Sequence, residues 1–521
     1  MNSASFENQG PGEKSVKESP VSEDTLQIGV SRPALPLTDL PSPEEVFKVR
    51  KITAITLLTS VLGPSMIGLG VSIGGGEWLL GPLGFGKYGF IGLGFLVMVA
   101  AVLQTFYNVE NARYTLATGE VPSVGFARTP PGLKLWVPLT LLIIYLGWIW
   151  GGWAAAAGQS LFAIITGRTY DAGHPMELEM VRIIAILLLI VSLGIYLFGK
   201  KIARTLEIVQ GFAVFLILGG LLALCIVFVP GNLWANLLSG IITPAAPPKG
   251  IDATTLGAII GYTGFAAGTN FLLINYYRDH GYGMGHKVGF FSGLLHGEKK
   301  DVLPSGLTFC ESPANTRTWK RWFRFLLLDQ WGVFFPGAIL GMFLSCTLVV
   351  AITNMPGAAA PTAANMPVYA AIELGKRAAW LFPVVLILGL LILWTTQSTV
   401  LEMLIRNTAE SAIAVSPRLH AWTRGDPRKF YYLVAAFFII FISFIIHLAL
   451  PTKLLQYSAN MANLASLIYP FVLIYLNSKL PRPARAGWWT YPVLIANVIF
   501  FGFFFVNFIC LELSGQSLVK F

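Results

Sequence analysis

Charge is scarce in this chain. Of its 521 residues only 12% are charged, while 55% are hydrophobic and the mean hydropathy is +0.66. Soluble domains carry about 25% charged residues, so a water-soluble globular protein is excluded. Cysteine is scarce too: Cys225, Cys310, Cys346 and Cys510 stand far apart, with neither metal-ligand spacing nor the density of a disulfide framework, and the three in or beside apolar runs, Cys225, Cys346 and Cys510, read as small buried hydrophobes. The six histidines are dispersed and no nucleophile sits beside a base, so no enzyme is expected. A Gly-x-x-x-x-Gly-Lys-Ser/Thr phosphate loop is missing, which removes support for ATP-driven pumping.

What the chain does have is long apolar runs. A bilayer span needs about 20 mostly apolar residues. Such runs recur near 53–82, 88–116, 135–166, 182–199, 205–229, 254–277, 325–353, 378–404, 430–449, 455–478 and 488–511. They are apolar all round rather than alternating in segments of about ten residues, which excludes a barrel. The expected fold class is therefore all-α, a polytopic membrane protein of about 11 spans, with the lipid bilayer as its first partner. Residues 1–46 are rich in Ser, Pro, Glu and Lys and lack a cleavable apolar core, so they read as a disordered tail rather than a signal peptide.

Lys and Arg set the orientation. Lys48, Arg50 and Lys51 precede the first run, Lys200, Lys201 and Arg204 fill the fourth loop, and the sixth loop, 279–323, carries six more with Arg278 and Arg324 flanking it. Odd-numbered loops are poor in them, so the amino terminus is predicted cytoplasmic and the carboxyl terminus external. The net charge of +10 is accounted for by this topology, and no nucleic-acid partner is implied.

One run contradicts its own helix. In "PSMIGLGVSIGGGEWLLGP", Pro64 to Pro82, three glycines precede a glutamate. Each glycine costs about 1 kcal/mol against alanine in a helix interior, so the helix is expected to break at Gly74, Gly75 and Gly76. Irregular backbone at membrane depth is tolerated where it lines protein or a watery cavity, and Glu77, an ionisable group within a span, becomes the leading binding residue. Five spans later "GYTGFAAGTNFLLINYYRDHG" carries a second set of breakers, Gly264 and Gly268, with Thr269 and Asn270 following. Two discontinuous helices in corresponding positions are the mark of inverted-repeat transporters, here two blocks of five, 47–230 and 251–480, with 481–521 adding a further helix.

The chain resembles the Nramp family of proton-coupled divalent-metal transporters, within the amino acid-polyamine-organocation superfamily and its LeuT-type fold. "GPSMIGLGVSIGGGEW" stands where that family has its Asp-Pro-Gly-Asn signature; "RYTLATGE", "TTQSTVLE" and "LIYPF" are similar to its stretches in spans two, eight and ten. The resemblance implies a five-plus-five repeat with spans one and six broken, and transport by rocking against spans three, four, eight and nine. It places Gly74 at the family's metal-binding Asp, Glu77 at its Asn, Ala267 at its Met and Thr269 at a nearby His, with Val71 and Gly264 supplying backbone carbonyls. Every side chain at the family's metal site has changed. Loss of the thioether removes a basis for rejecting hard ions, and oxygen ligation by Glu77, Thr269 and Asn270 would suit magnesium or calcium. A single carboxylate matches a sodium ion or an organic amine equally well.

Ser72, Gln397, Asn460 and Asn463 form a second tier of polar groups that either face the site or bond between helices. Trp148 and Trp153 read as core packing, or, if they line a cavity, as walls favouring a cation. The expected activity is secondary transport of a cation, a divalent metal first, with protons or sodium as coupling ion and no resident cofactor. The alternatives are transport of an amino acid or amine, and a non-transporting sensor. A bacterial inner membrane is the expected location.

Overall fold

The computed structural model describes all residues except 1–34, 54–62, 172, 198–201, 265–267, 290–305, 424, 425 and 427. Nine described helices are long and apolar enough to cross a membrane. Two more crossings are made from half-helices: span one from Gly63–Ser72 and Gly81–Tyr88, joined through a π-helical turn at Gly76–Leu80, and span six from Ala253–Tyr262 and Asn270–Asp279. Together they give the LeuT-type arrangement of two five-span repeats plus an eleventh helix, Thr490–Ser514. Among the described residues strand is confined to one parallel pair, Leu37–Thr38 with Thr308–Phe309.

Local chemistry sets the ends of these helices. Asp252 accepts the Thr255 N–H at 2.8 Å and so opens span six, satisfying one of the donors that a helix start leaves bare. Ser312 does the same for Asn315 at 3.1 Å, and starts helix Pro313–Asp329. That helix runs through a π-helical turn at Gln330–Phe334 into Phe335–Thr353. The loop assigned to 279–323 therefore ends at Ser312, because a capped amphipathic helix occupies its last residues.

Spans three, four, eight and nine pack on one another; span one packs on five, seven and eight, and span two on the second half of span six. Burial divides the spans by role. The most apolar window of span four is 22% buried, which leaves its side chains for lipid, whereas those of spans seven and eight are 72% buried.

Residues 35–46 correct the expectation of a disordered tail up to 46. Thr308 and Cys310 donate backbone hydrogen bonds to Pro36 and Thr38, Trp322 Nε1 donates to the Pro41 carbonyl at 2.8 Å, and Glu44 pairs with Arg321. Composition suggested solvation, but the partners lie some 270 residues away in sequence and supply what the segment lacks locally.

Candidate functional site

Break one begins after Ser72. In a continuous helix the Gly74 N–H would bond the Gly70 carbonyl; here it donates to Glu77 Oε2 at 2.9 Å. Glu77 thus caps the second half-helix from three residues on, as the acidic partner of a capping box does. Its other oxygen, Oε1, is buried and has no hydrogen-bond partner among the described residues. The glycines serve close approach: a Cβ on Gly74, Gly75 or Gly76 would come within 2.5 Å of Thr396, 2.8 Å of Trp153 or 2.7 Å of Tyr262.

Break two carries left-handed backbone at Gly264 (φ 74°) and Gly268 (φ 102°), conformations that cost a residue with a Cβ about 1 to 2 kcal/mol. Asn270 Oδ1 accepts the Gly268 N–H at 3.1 Å, and its amide nitrogen donates to Asn108 and to Gln104. The two breaks are tied directly, Ser72 Oγ donating to the Gly264 carbonyl.

A third break was not expected. Span three stops at Trp148 and restarts at Gly152, and Gln397 Oε1 accepts the Ala154 N–H at 3.2 Å in the first turn of the restarted helix. The signal was present in "GWIWGGW", where Gly151 and Gly152 interrupt three tryptophans, but it reads equally as helix packing.

The breaks enclose one small cavity. Val71, Ser72 and Glu77 line it from span one, Gly264 and Thr269 from span six, and Trp148, Trp153, Tyr262 and Thr396 complete the wall. The space open to the centre of a water molecule is about 10 Å³, room for one water or a bare ion. Glu77 is the one ionisable side chain among the described lining residues apart from the phenol of Tyr262. The rings of Trp148 and Trp153 stack at 5.6 Å, and Tyr262 lies 5.8 and 5.5 Å from them.

The remaining predicted residues fall as follows. Gly74 lies at the break but outside the lining, and Ala267 lies outside the described residues. Asn270 is turned away from the cavity toward span two. Asn460 and Asn463 face the first half of span six, donating to the carbonyls of Thr254 (2.9 Å) and Gly257 (3.2 Å), and Gln397 is committed to the third break.

A buried charge cluster also escaped the sequence reading. Arg406 bonds Glu402, one turn earlier on span eight, and Asp279 at the end of span six; Arg278 pairs with Glu410 at 2.9 Å and with Asp279 at 3.3 Å. Its only local signal was the four-residue spacing of 402, 406 and 410.

No protein-family model and no curated protein sequence matches this chain. In fold it belongs with polytopic all-α membrane proteins of the LeuT type. It is similar to the Eremococcus coleocola manganese transporter solved with an aromatic bis-isothiourea substituted compound, at a TM-score of 0.56 and 14% identity over 92% of each chain. A mutant of that transporter aligns at 0.56 and 13% identity over 92% of this chain and 90% of that one. At such identity the likeness is one of fold.

Proposed function

We propose that this protein is a Nramp-like secondary transporter that carries a small cation across the membrane by alternating access, with Glu77 as the charge that reads it. The observation that carries this reading is the capping of both breaks. The amino-terminal ends of the two second half-helices are where an anionic substrate group would sit. Each already holds an acceptor of the chain's own, Glu77 on Gly74 and Asn270 on Gly268. An amino acid's carboxylate finds that polarity taken. A cation finds Glu77 Oε1 without a hydrogen-bond partner among the described residues, with Val71, Gly264 and Thr269 lining the same wall.

The ligand set is oxygen only, which suits a hard ion such as magnesium or calcium over a soft one. The stacked wall of Trp148, Trp153 and Tyr262 supports a second reading, a small organic ammonium ion held by its attraction to aromatic faces. Uptake of magnesium, calcium, manganese and methylammonium into proteoliposomes, under an imposed proton gradient, separates these. Glu77-dependent uptake of a metal supports the first, Glu77-dependent uptake of methylammonium alone the second. Uptake of neither by folded protein overturns cation transport.

A further inference from the structure

The helix that leads into span seven changes character along one side. Pro313–Asp329 buries Asn315, Trp319, Trp322, Leu326 and Asp329. Its opposite side carries Arg317, Lys320, Arg321 and Arg324, spaced at i, i+3, i+4 and i+7 and all exposed. One turn further on, the same side exposes Leu327 and Leu328. In a membrane protein such a change from basic to apolar marks the passage from headgroups to acyl chains, and puts the lipid phosphates level with Lys320 to Arg324. The carboxylates that approach this side are already matched: Glu44 pairs with Arg321, Glu110 lies 2.8 Å from Arg113 and Glu311 3.9 Å from Arg482, while Asp39 accepts the Asn315 amide at 3.3 Å. Arg317, Lys320 and Arg324 have no acidic partner among the described residues.

Beside this stripe the fold builds a groove. The turn Arg482–Ala484, just before span eleven, packs on the same helix. Arg113 of span two bridges the two, its guanidinium 4.3 Å from the ring centre of Phe323 and its Nη1 donating to the Ala484 carbonyl at 3.1 Å. Two turns deeper in span two, about 10 Å along the helix, Phe106 meets Trp331 at 4.9 Å and Trp489 at 5.9 Å. The lead-in helix and the 482–489 segment therefore run side by side over that length, with span two as the floor between them. Lys320 and Leu327, three residues before Phe323 and four after it, share its flank and so border the groove. On the other wall Arg485 is exposed, its Nε donating to the Leu480 carbonyl at 2.7 Å, and Trp488 and Trp489 are exposed at the start of span eleven, as tryptophans are at a membrane interface.

We propose that this groove seats one anionic phospholipid of the cytoplasmic leaflet, its phosphate held by Lys320, Arg324 and Arg485 and an acyl chain laid along Leu327, Trp331 and Trp489. Hydrogen bonds from guanidinium and ammonium groups to a phosphate are charge-assisted, and basic pockets between spans on the cytoplasmic side suit anionic headgroups. A zwitterionic lipid brings its own ammonium group among these cations, so net charge decides which lipid is preferred. Membrane orientation asks only for basic residues on this face. It does not ask for an aromatic-walled groove at the depth where their side of the helix turns apolar, and that coincidence carries the proposal.

The test is binding rather than transport, so it stands apart from the Glu77 reading. Purified, delipidated full-length protein in detergent is titrated with phosphatidylglycerol, with phosphatidylcholine of the same chains and with glycerol 3-phosphate, following bound molecules by native mass spectrometry and folding by thermal unfolding. One phosphatidylglycerol should bind per chain in preference to phosphatidylcholine, and should raise the midpoint more. Lys320→Gln and Arg324→Gln, both at exposed positions, should each weaken it by about fivefold, the value of one basic residue at an anionic surface. Lys320→Arg should keep the affinity, and Trp489→Ala should weaken both lipids alike. Arg418→Gln, at an exposed arginine of the eighth loop, should change nothing. Equal binding of the two lipids, unchanged affinity in both glutamine variants, or an equal loss in Arg418→Gln would overturn the site. Glycerol 3-phosphate binding as tightly as the lipid would overturn it too, by showing a seat for soluble phosphate.

Discussion

The carboxyl group of Glu77 accepts the N–H of Gly74 through one oxygen, while the other, without a partner among the described residues, lies beside the cavity where the helix breaks meet. One residue therefore shapes the backbone and supplies the charge. The two roles separate by substitution. Glu77→Gln keeps an acceptor for Gly74 and removes the charge, so the protein should fold with a nearly unchanged midpoint while cation uptake is lost. Glu77→Ala removes the cap as well and should cost about a further 1 kcal/mol of stability. Thermal unfolding beside liposome uptake for both variants checks this, and equal uptake by Glu77→Gln and the unmutated protein would sink it.

Close approach at Gly76 gives a second prediction. A Cβ there would lie 2.7 Å from Cβ of Tyr262, a neighbour held at the end of a half-helix rather than at the tip of a flexible chain. Gly76→Ala should push the half-helices of spans one and six apart, lowering stability by about 1 to 3 kcal/mol and abolishing uptake. Gly167→Ala, where a Cβ meets nothing within 4 Å, should leave uptake unaltered despite its strained φ.

The all-α class, the eleven crossings and the two principal breaks were legible because each rests on local composition: apolar length for the spans, glycine beside a polar residue for the breaks. The site was legible only where backbone alone decides it. Val71, Glu77, Gly264 and Thr269 could be placed by the breaks themselves, but the orientation of Asn270 depends on Asn108 and Gln104, more than 160 residues away. The same holds for the third break, stabilised by Gln397 from 243 residues on, and for residues 35–46, which find their partners near 308–322. These features come from long-range pairing, which periodicity cannot report.

The charge cluster at the ends of spans six and eight should behave as structure. Arg406 and Asp279 are buried together, and removing one charge strands the other in a medium that cannot solvate it. Arg406→Leu should destabilise the protein by about 3 to 5 kcal/mol. Combining it with Glu402→Leu and Asp279→Leu should recover part of that loss. Melting curves of the single and triple variants measure both, and a single variant as stable as the unmutated protein would refute the assignment.

The ordered amino-terminal segment yields a pH prediction. Hydrogen bonds from the Arg321 guanidinium hold the Glu44 carboxyl below the ordinary carboxylate range. A carboxyl whose pKa is lower when docked than when free favours docking above the free value, about 4.3, and loses that contribution as pH falls through the docked value. Docking of residues 35–46 should thus be constant from neutral pH to about 5 and weaken below about 4. The pair is partly exposed, so raising salt should mimic part of the loss. The reporters are the Thr308 and Cys310 amides, which are bonded to Pro36 and Thr38 and should exchange hydrogen faster, after correction for intrinsic rate, once the segment lifts. In Arg321→Gln that exchange should already be faster at neutral pH and should change little on acidification. An Arg321→Gln protein that still shows the full acid response would place the titrating group elsewhere.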